Sequence, residues 1–165
     1  LQDVLKSSIL QAIYREAQRS GQPIYCIVDD TIASHTRPSS QAVHPIEAAY
    51  FHQSHLKGCQ DYGHQVVSVM LSCNGITLNY AVILYDKSRS KIQIVQEIAE
   101  ELPAAPVISY FLCDSWYTTA KVMDRFIRKG FYTVGALKTN RILYPCGIRQ
   151  KASAFALHLR KTDPD

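Results

Sequence analysis

No apolar run in this chain of 165 residues approaches the roughly eighteen that a membrane helix needs, and no stretch at the start has the basic, apolar, small-residue order of a signal peptide. Low-complexity tracts and internal repeats are missing too, and seven Gly and seven Pro carry no collagen-like or disordered signature. The five cysteines, Cys26, Cys59, Cys73, Cys113 and Cys146, are odd in number and irregular in spacing, which argues against a disulfide framework. Three of them sit in apolar strand-like runs as small hydrophobes, so reduced thiols in a soluble, cytoplasmic protein are expected.

What the chain does have is enough apolar sequence for one globule. It is 47% hydrophobic and 19% charged, and a chain this long buries roughly two thirds of its unfolded surface. Net charge is only +4 but unevenly spread: residues 1 to 120 hold eight Lys/Arg against eleven Asp/Glu, residues 121 to 165 ten against three. A basic C-terminal quarter matches the footprint of a polyphosphate partner as well as that of a solvated face. The chain opens on Leu1 and its last residues close no core element, so a fragment of a longer protein is expected.

Periodicity then gives the elements. Val4, Leu5, Ile9, Leu10, Ile13 and Tyr14 form a helical stripe that Gly21 and Pro23 end. The run IYCIVDD reads as a strand buried on both faces and closing on two carboxylates, Asp29 and Asp30. Residues 31 to 62 lack a clean period and read as a long loop with one short helix around HPIEAAYF. Two strand-like runs joined at Cys73-Asn74-Gly75 form a hairpin. A helix over residues 90 to 101 leads to a strand, VISYFLCD, which again ends on a carboxylate, Asp114. A second helix follows, with Ser115 as a plausible cap and Gly130 as its stop. The strand FYTVGALKTNR and a short basic helix near RQKASAFALHLRK complete the order.

That order predicts a single α/β domain built on a five-stranded mixed sheet, three parallel strands plus an antiparallel hairpin, flanked by helices. Residues 1 to 21 form a leading helix, 22 to 141 the core, and 142 to 165 a basic tail. If the first and fourth strands are neighbours, their terminal acids meet where α/β sheets place ligands. Two carboxylates converging without a built-in Lys or Arg repel, and an oxygen-only site of that kind suits Mg²⁺, or Mn²⁺ in its place. Alternation along a strand lets only one of Asp29 and Asp30 point at the site.

The stretches IVDDT, YGHQVVSVML with its hairpin, CDSWYTTAKVM and GALKTNR, across residues 23 to about 150, resemble the DDE transposases of bacterial insertion sequences. The resemblance implies a ribonuclease H-like catalytic core that cuts DNA and transfers the strand with Mg²⁺. It assigns Asp30 and Asp114 as catalytic metal ligands, with Asp29 the second choice, and Lys138 and Arg141 as residues approaching DNA phosphates. It also implies element ends and target DNA as partners, a homodimer in a synaptic complex and no membrane. The family's third acid, a Glu on a later helix, has no counterpart after Arg141, so an incomplete site is expected. Arg125, Arg128 and Lys129 read as an extension of the basic track or a solvated face, and Trp116 and Tyr117 as a base-stacking pair or as core.

Other readings stand beside this one. A decayed or domesticated transposase would bind DNA without catalysis. A phospho-acceptor receiver domain also opens with paired acids, but it needs a helix where this chain has a loop and a hairpin. His52, His55, Cys59 and His64 carry zinc donors at a spacing that fits no standard finger.

Overall fold

The computed structural model describes residues 2–39, 46–54 and 57–162. The opening stripe forms helix α1 (Gln2–Ser20), which buries Ile9, Ile13 and Ala17. Strand β1 (Ile24–Ser34) follows, then β2 (Tyr50–Ser54), β3 (Cys59–Cys73) and β4 (Ile76–Leu84). Helix α2 (Lys91–Glu101), β5 (Ser109–Cys113), α3 (Ala120–Arg128) and β6 (Phe131–Gly135) come next, and a small ribbon of β7 (Ile142–Leu143) and β8 (Gln150–Lys151) leads into α4 (Ala152–Thr162).

All five expected strands are present, as β1, β3, β4, β5 and β6, and the sheet has a sixth. The order is β2-β3-β1-β5-β6, with β4 also paired to β3. Strands β1, β5 and β6 run parallel, because the crossovers through α2 and α3 return the chain in the same direction. The β3–β4 hairpin turns on Asn74 (φ 49°) and Gly75 (φ 81°), the left-handed pair that a tight two-residue hairpin requires.

The sixth strand replaces the short helix expected around HPIEAAYF, of which His44 and Pro45 lie outside the described residues. Ile46 to Ala49 form a turn and Tyr50 already pairs with Gly63. The cause is the length of β3: its first five residues run on beyond the hairpin and offer an edge on which the aromatic segment YFHQS satisfies its backbone.

Helices α1, α2 and α3 share one apolar core with one face of the sheet. Alternation along β1 sends Ile24, Cys26 and Val28 inward, to meet Ile13 and Ala17 of α1, Ile94, Val95, Ile98 and Ala99 of α2, and Val122 and Phe126 of α3. Phe126 stacks on Phe111 of β5 with ring centroids 3.7 Å apart and meets Phe131 of β6 edge-on at 5.8 Å. These aromatic contacts pack the end of α3 against the middle of β5 and the start of β6. On the other face a tyrosine row, Tyr25, Tyr110 and Tyr132, crosses β1, β5 and β6 in register, with centroids 5.5 and 5.7 Å apart.

Gly135 closes β6 where there is no room for a side chain. A Cβ there would collide with Thr118 Oγ1 and lie 2.9 Å from Met123 Cε. Its absence lets the turn between β5 and α3 settle onto the strand.

Candidate active site

Strand β1 continues four residues past Asp30, to Ser34, so the two acids do not end it as the apolar run suggested. Their position is set by the neighbour instead. Parallel pairing of β1 with β5 stops at Val28 opposite Cys113, while antiparallel pairing with β3 carries on to Ser34. Asp29 and Asp30 therefore lie one and two steps beyond the point where β5 leaves the sheet, and Asp114 is the first residue after β5. The acids of the two strands thus line one open cleft of about 980 Å³.

Asp114 does not begin a helix at Ser115. Its Oδ1 accepts hydrogen bonds from the backbone N–H of Trp116 at 2.9 Å and Tyr117 at 3.3 Å. The Thr118 hydroxyl donates to the Asp114 carbonyl at 2.8 Å, and α3 begins only after Thr119, whose side chain caps Val122. The aspartate competes with the helix for those N–H groups, which is how Asp side chains favour tight turns over helix interiors.

Asp30 is held more tightly than expected. Its Oδ1 accepts from the Tyr117 hydroxyl at 2.9 Å, and its Oδ2 from Gln65 Nε2 at 2.6 Å and Lys91 Nζ at 2.8 Å. The side chains of Lys91 and Asp30 are only 15% and 16% exposed. The premise that no basic partner is built in is thus corrected. Lys91 is the first residue of α2, whose positive end disfavours a lysine; the carboxylate of Asp30 offsets that field.

Asp29 alternates to the opposite face of β1, is exposed, and accepts a bond from the Asp30 N–H on Oδ1 at 2.8 Å. Among the described residues no donor reaches Oδ2 of Asp29 or Oδ2 of Asp114. No group of three or more His, Cys, Asp or Glu side chains is arranged to hold a metal ion among the described residues.

Four lysines, Lys57, Lys87, Lys91 and Lys138, line the cleft with four aspartates, Asp29, Asp30, Asp61 and Asp114. Asp61 pairs with Lys57 at 2.7 Å and accepts from Ser34 Oγ at 2.6 Å, bonds that hold its carboxyl below the usual range. Lys138 reaches the cleft, whereas Arg141 is not in its lining and donates to the Thr118 carbonyl at 3.0 Å. Arg125 pairs with Glu100 at 3.0 Å and Lys129 donates to the Glu100 carbonyl at 2.8 Å, so both brace α3 against α2 instead of extending a track along the cleft. Glu97, Glu100 and Glu101 line no part of it.

Tyr117 is fully buried; burial, followed by the charge and hydrogen bond of Asp30, pushes its phenol well above its ordinary range. Trp116 is 46% exposed. Of the zinc donors, His64 is bonded to His35 and to the Glu47 carbonyl, His52 is buried, Cys59 exposed, and His55 lies outside the described residues. All five cysteines are free.

A mixed sheet flanked by helices, with acids just past the last paired residues of adjacent parallel strands, is compatible with the ribonuclease H-like architecture. The family model described as Transposase DDE domain matches residues 20–162, and the chain belongs to that family. No curated protein and no solved structure matches it. Membership makes it a transposase domain, with DNA as the implied substrate. Among the described residues no helix is long and apolar enough to cross a membrane.

Proposed function

We propose that this domain belongs to the catalytic core of an insertion-sequence transposase that cleaves DNA and transfers the freed 3′ end, dependent on Mg²⁺ with Mn²⁺ as a substitute, and that these residues supply two of its three acids. The observation that carries the reading is the delivery of Asp30 and Asp114, by adjacent parallel strands, into one cleft where a single residue, Tyr117, bonds both.

The donor chemistry fits a hard cation, since carboxylate oxygens are its preferred ligands. Oδ2 of Asp114 is open; at Asp30 the fit requires the Lys91 ammonium to leave Oδ2. When bound, the ion would polarise the phosphodiester and promote loss of the proton from the attacking water or 3′-hydroxyl. Tyr117 fixes the two carboxylates relative to each other, and Gln65 keeps Asp30 oriented when Lys91 moves. Lys138 meets backbone phosphates at the cleft, and Arg141 reaches the same DNA from the adjoining turn. Element ends and target DNA are the partners, with two copies of the chain bringing two ends together.

A second reading assigns the ligand on β1 to Asp29, favoured by its unengaged Oδ2 and by its place opposite Asp114 in the continued register. A third, a remnant that binds DNA without cutting it, is favoured by the fourth aspartate of the cleft, Asp61, being taken up by Lys57.

Nicking of supercoiled plasmid in Mn²⁺ or Mg²⁺ separates the three. Loss of nicking in Asp114→Asn and Asp30→Asn, with Asp29→Asn active, supports the first. The opposite behaviour of the two β1 variants supports the second, and DNA binding by the wild type without any nicking supports the third.

A further inference from the structure

We infer that Trp116, between Lys91 and Lys138, is a stacking site for an unpaired nucleotide of DNA, held directly beside Asp114. The inference deepens the transposase reading and rests on it for the choice of DNA.

Tryptophan is a costly residue to leave in water, because its large apolar rings are ordinarily mostly buried. Trp116 is the only tryptophan of the chain, yet it is 46% exposed and lines the cleft. Its backbone is tied down by hydrogen bonds. Asp114 holds its N–H at 2.9 Å, and the next residue, Tyr117, is fully buried and bonded to Asp30, so the indole is presented from a braced turn.

Two ammonium groups flank the ring, Lys91 Nζ at 5.3 Å and Lys138 Nζ at 5.4 Å from it. They differ in what else they do. While no cation is bound, Lys91 is committed to Asp30 at 2.8 Å and so stays near the ring as a fixed positive charge. Lys138 is exposed and makes no ion pair or side-chain hydrogen bond among the described residues, so it is free to leave the indole and follow a phosphate.

An aromatic ring with one fixed and one mobile cation over it is an arrangement that holds single-stranded nucleic acid: as Lys138 swings off the ring to take a phosphate, the base stacks in its place, with little preference for sequence. A base pair inside a duplex is stacked on both faces and the end pair exposes only one, so the site favours unpaired DNA. By its position Trp116 is a positioning residue, keeping an extruded or frayed nucleotide next to the Asp114 carboxylate.

Because there is one tryptophan, its native fluorescence reports on this site alone. The experiment titrates the wild-type chain, in metal-free buffer with EDTA, with a blunt DNA duplex and with the same duplex carrying an unpaired 3′ end. Binding is followed in parallel by anisotropy of a label on the DNA. The expected result is strong indole quenching by the unpaired end and little by the blunt duplex.

In the same assay Trp116→Ala should weaken binding of the unpaired-end DNA by ~5- to 150-fold while leaving the blunt duplex nearly unchanged. Trp116→Phe should restore most of the loss. Lys138→Ala should weaken both DNAs and reduce the slope of log affinity against log salt by about one. Binding of both DNAs by anisotropy with equal or no quenching, or an equal loss for both in Trp116→Ala, overturns the stacking site and leaves the DNA reading standing. Failure of both DNAs to bind overturns the stacking site and the DNA reading together.

Discussion

The hydroxyl of Tyr117 donates to Asp30 Oδ1 at 2.9 Å, joining residues 87 positions apart in the chain. The same tyrosine offers its backbone N–H to Asp114 at 3.3 Å. A residue buried among apolar side chains thereby sets the separation of the two acids, and it does so from the turn that Asp114 itself organises. Replacing it with phenylalanine keeps the ring and removes the link.

Tyr117→Phe should lower the stability to urea by about 1.5 kcal/mol, the low end for a hydrogen bond to a charged group, since Asp30 retains two other donors. The measurement is the midpoint of denaturation with unchanged m-value. A variant as stable as the wild type would mean that the hydroxyl does not hold Asp30.

Lys91→Met should cost about 2 kcal/mol, less than the 3–5 of a fully buried pair because some water reaches both partners. It should at the same time raise affinity for Mn²⁺ by roughly tenfold, as the ammonium that competes for Asp30 Oδ2 is gone. Calorimetric titration of the variant reads this directly. An unchanged affinity would show that Asp30 is not where the cation binds.

Two buried groups set opposite pH limits. His52 is 6% exposed and its Nε2 has no partner among the described residues, and burial, then the nearby charges of Lys87 and Lys91, holds its imidazole below the ordinary range. The unfolded chain takes up that proton first, so stability is full above about pH 6.5 and falls as pH drops through the lower folded value. Tyr14 lies at the other end: burial, then Cys26 and Tyr80, pushes its phenol up to about 12. Its share of stability is present below about pH 10 and is lost as pH rises toward the folded value. Denaturation across the pH range should show His52→Gln flattening the acid limb and Tyr14→Phe the alkaline limb. The latter should cost little at neutral pH, because the Tyr14 hydroxyl is buried without a partner among the described residues.

Much of this was legible in the chain itself. Period and punctuation located α1, α2, the Asn74-Gly75 hairpin and the three parallel strands, because each is a local pattern that the core then rewards. What escaped was decided by partners distant in sequence. The strand at Tyr50–Ser54 depends on an edge supplied by β3, and the extension of β1 to Ser34 depends on the same strand. Ser115 lost the helix cap to Thr119 because Asp114 captured the N–H groups between them. The bond from the Arg141 guanidinium to the Thr118 carbonyl likewise joins residues 23 positions apart. Lys91 alone left a trace: a lysine directly after the capping serine, in a first turn with no acid, signals a carboxylate waiting nearby.

The most direct test of the account is Mn²⁺ binding followed by electron paramagnetic resonance in the wild type and in Asp29→Asn, Asp30→Asn and Asp114→Asn. The account predicts that the wild type takes up the ion, that Asp30→Asn and Asp114→Asn each lose it, and that Asp29→Asn keeps it. Uptake by Asp114→Asn equal to that of the wild type would contradict a shared cation site between the two strands.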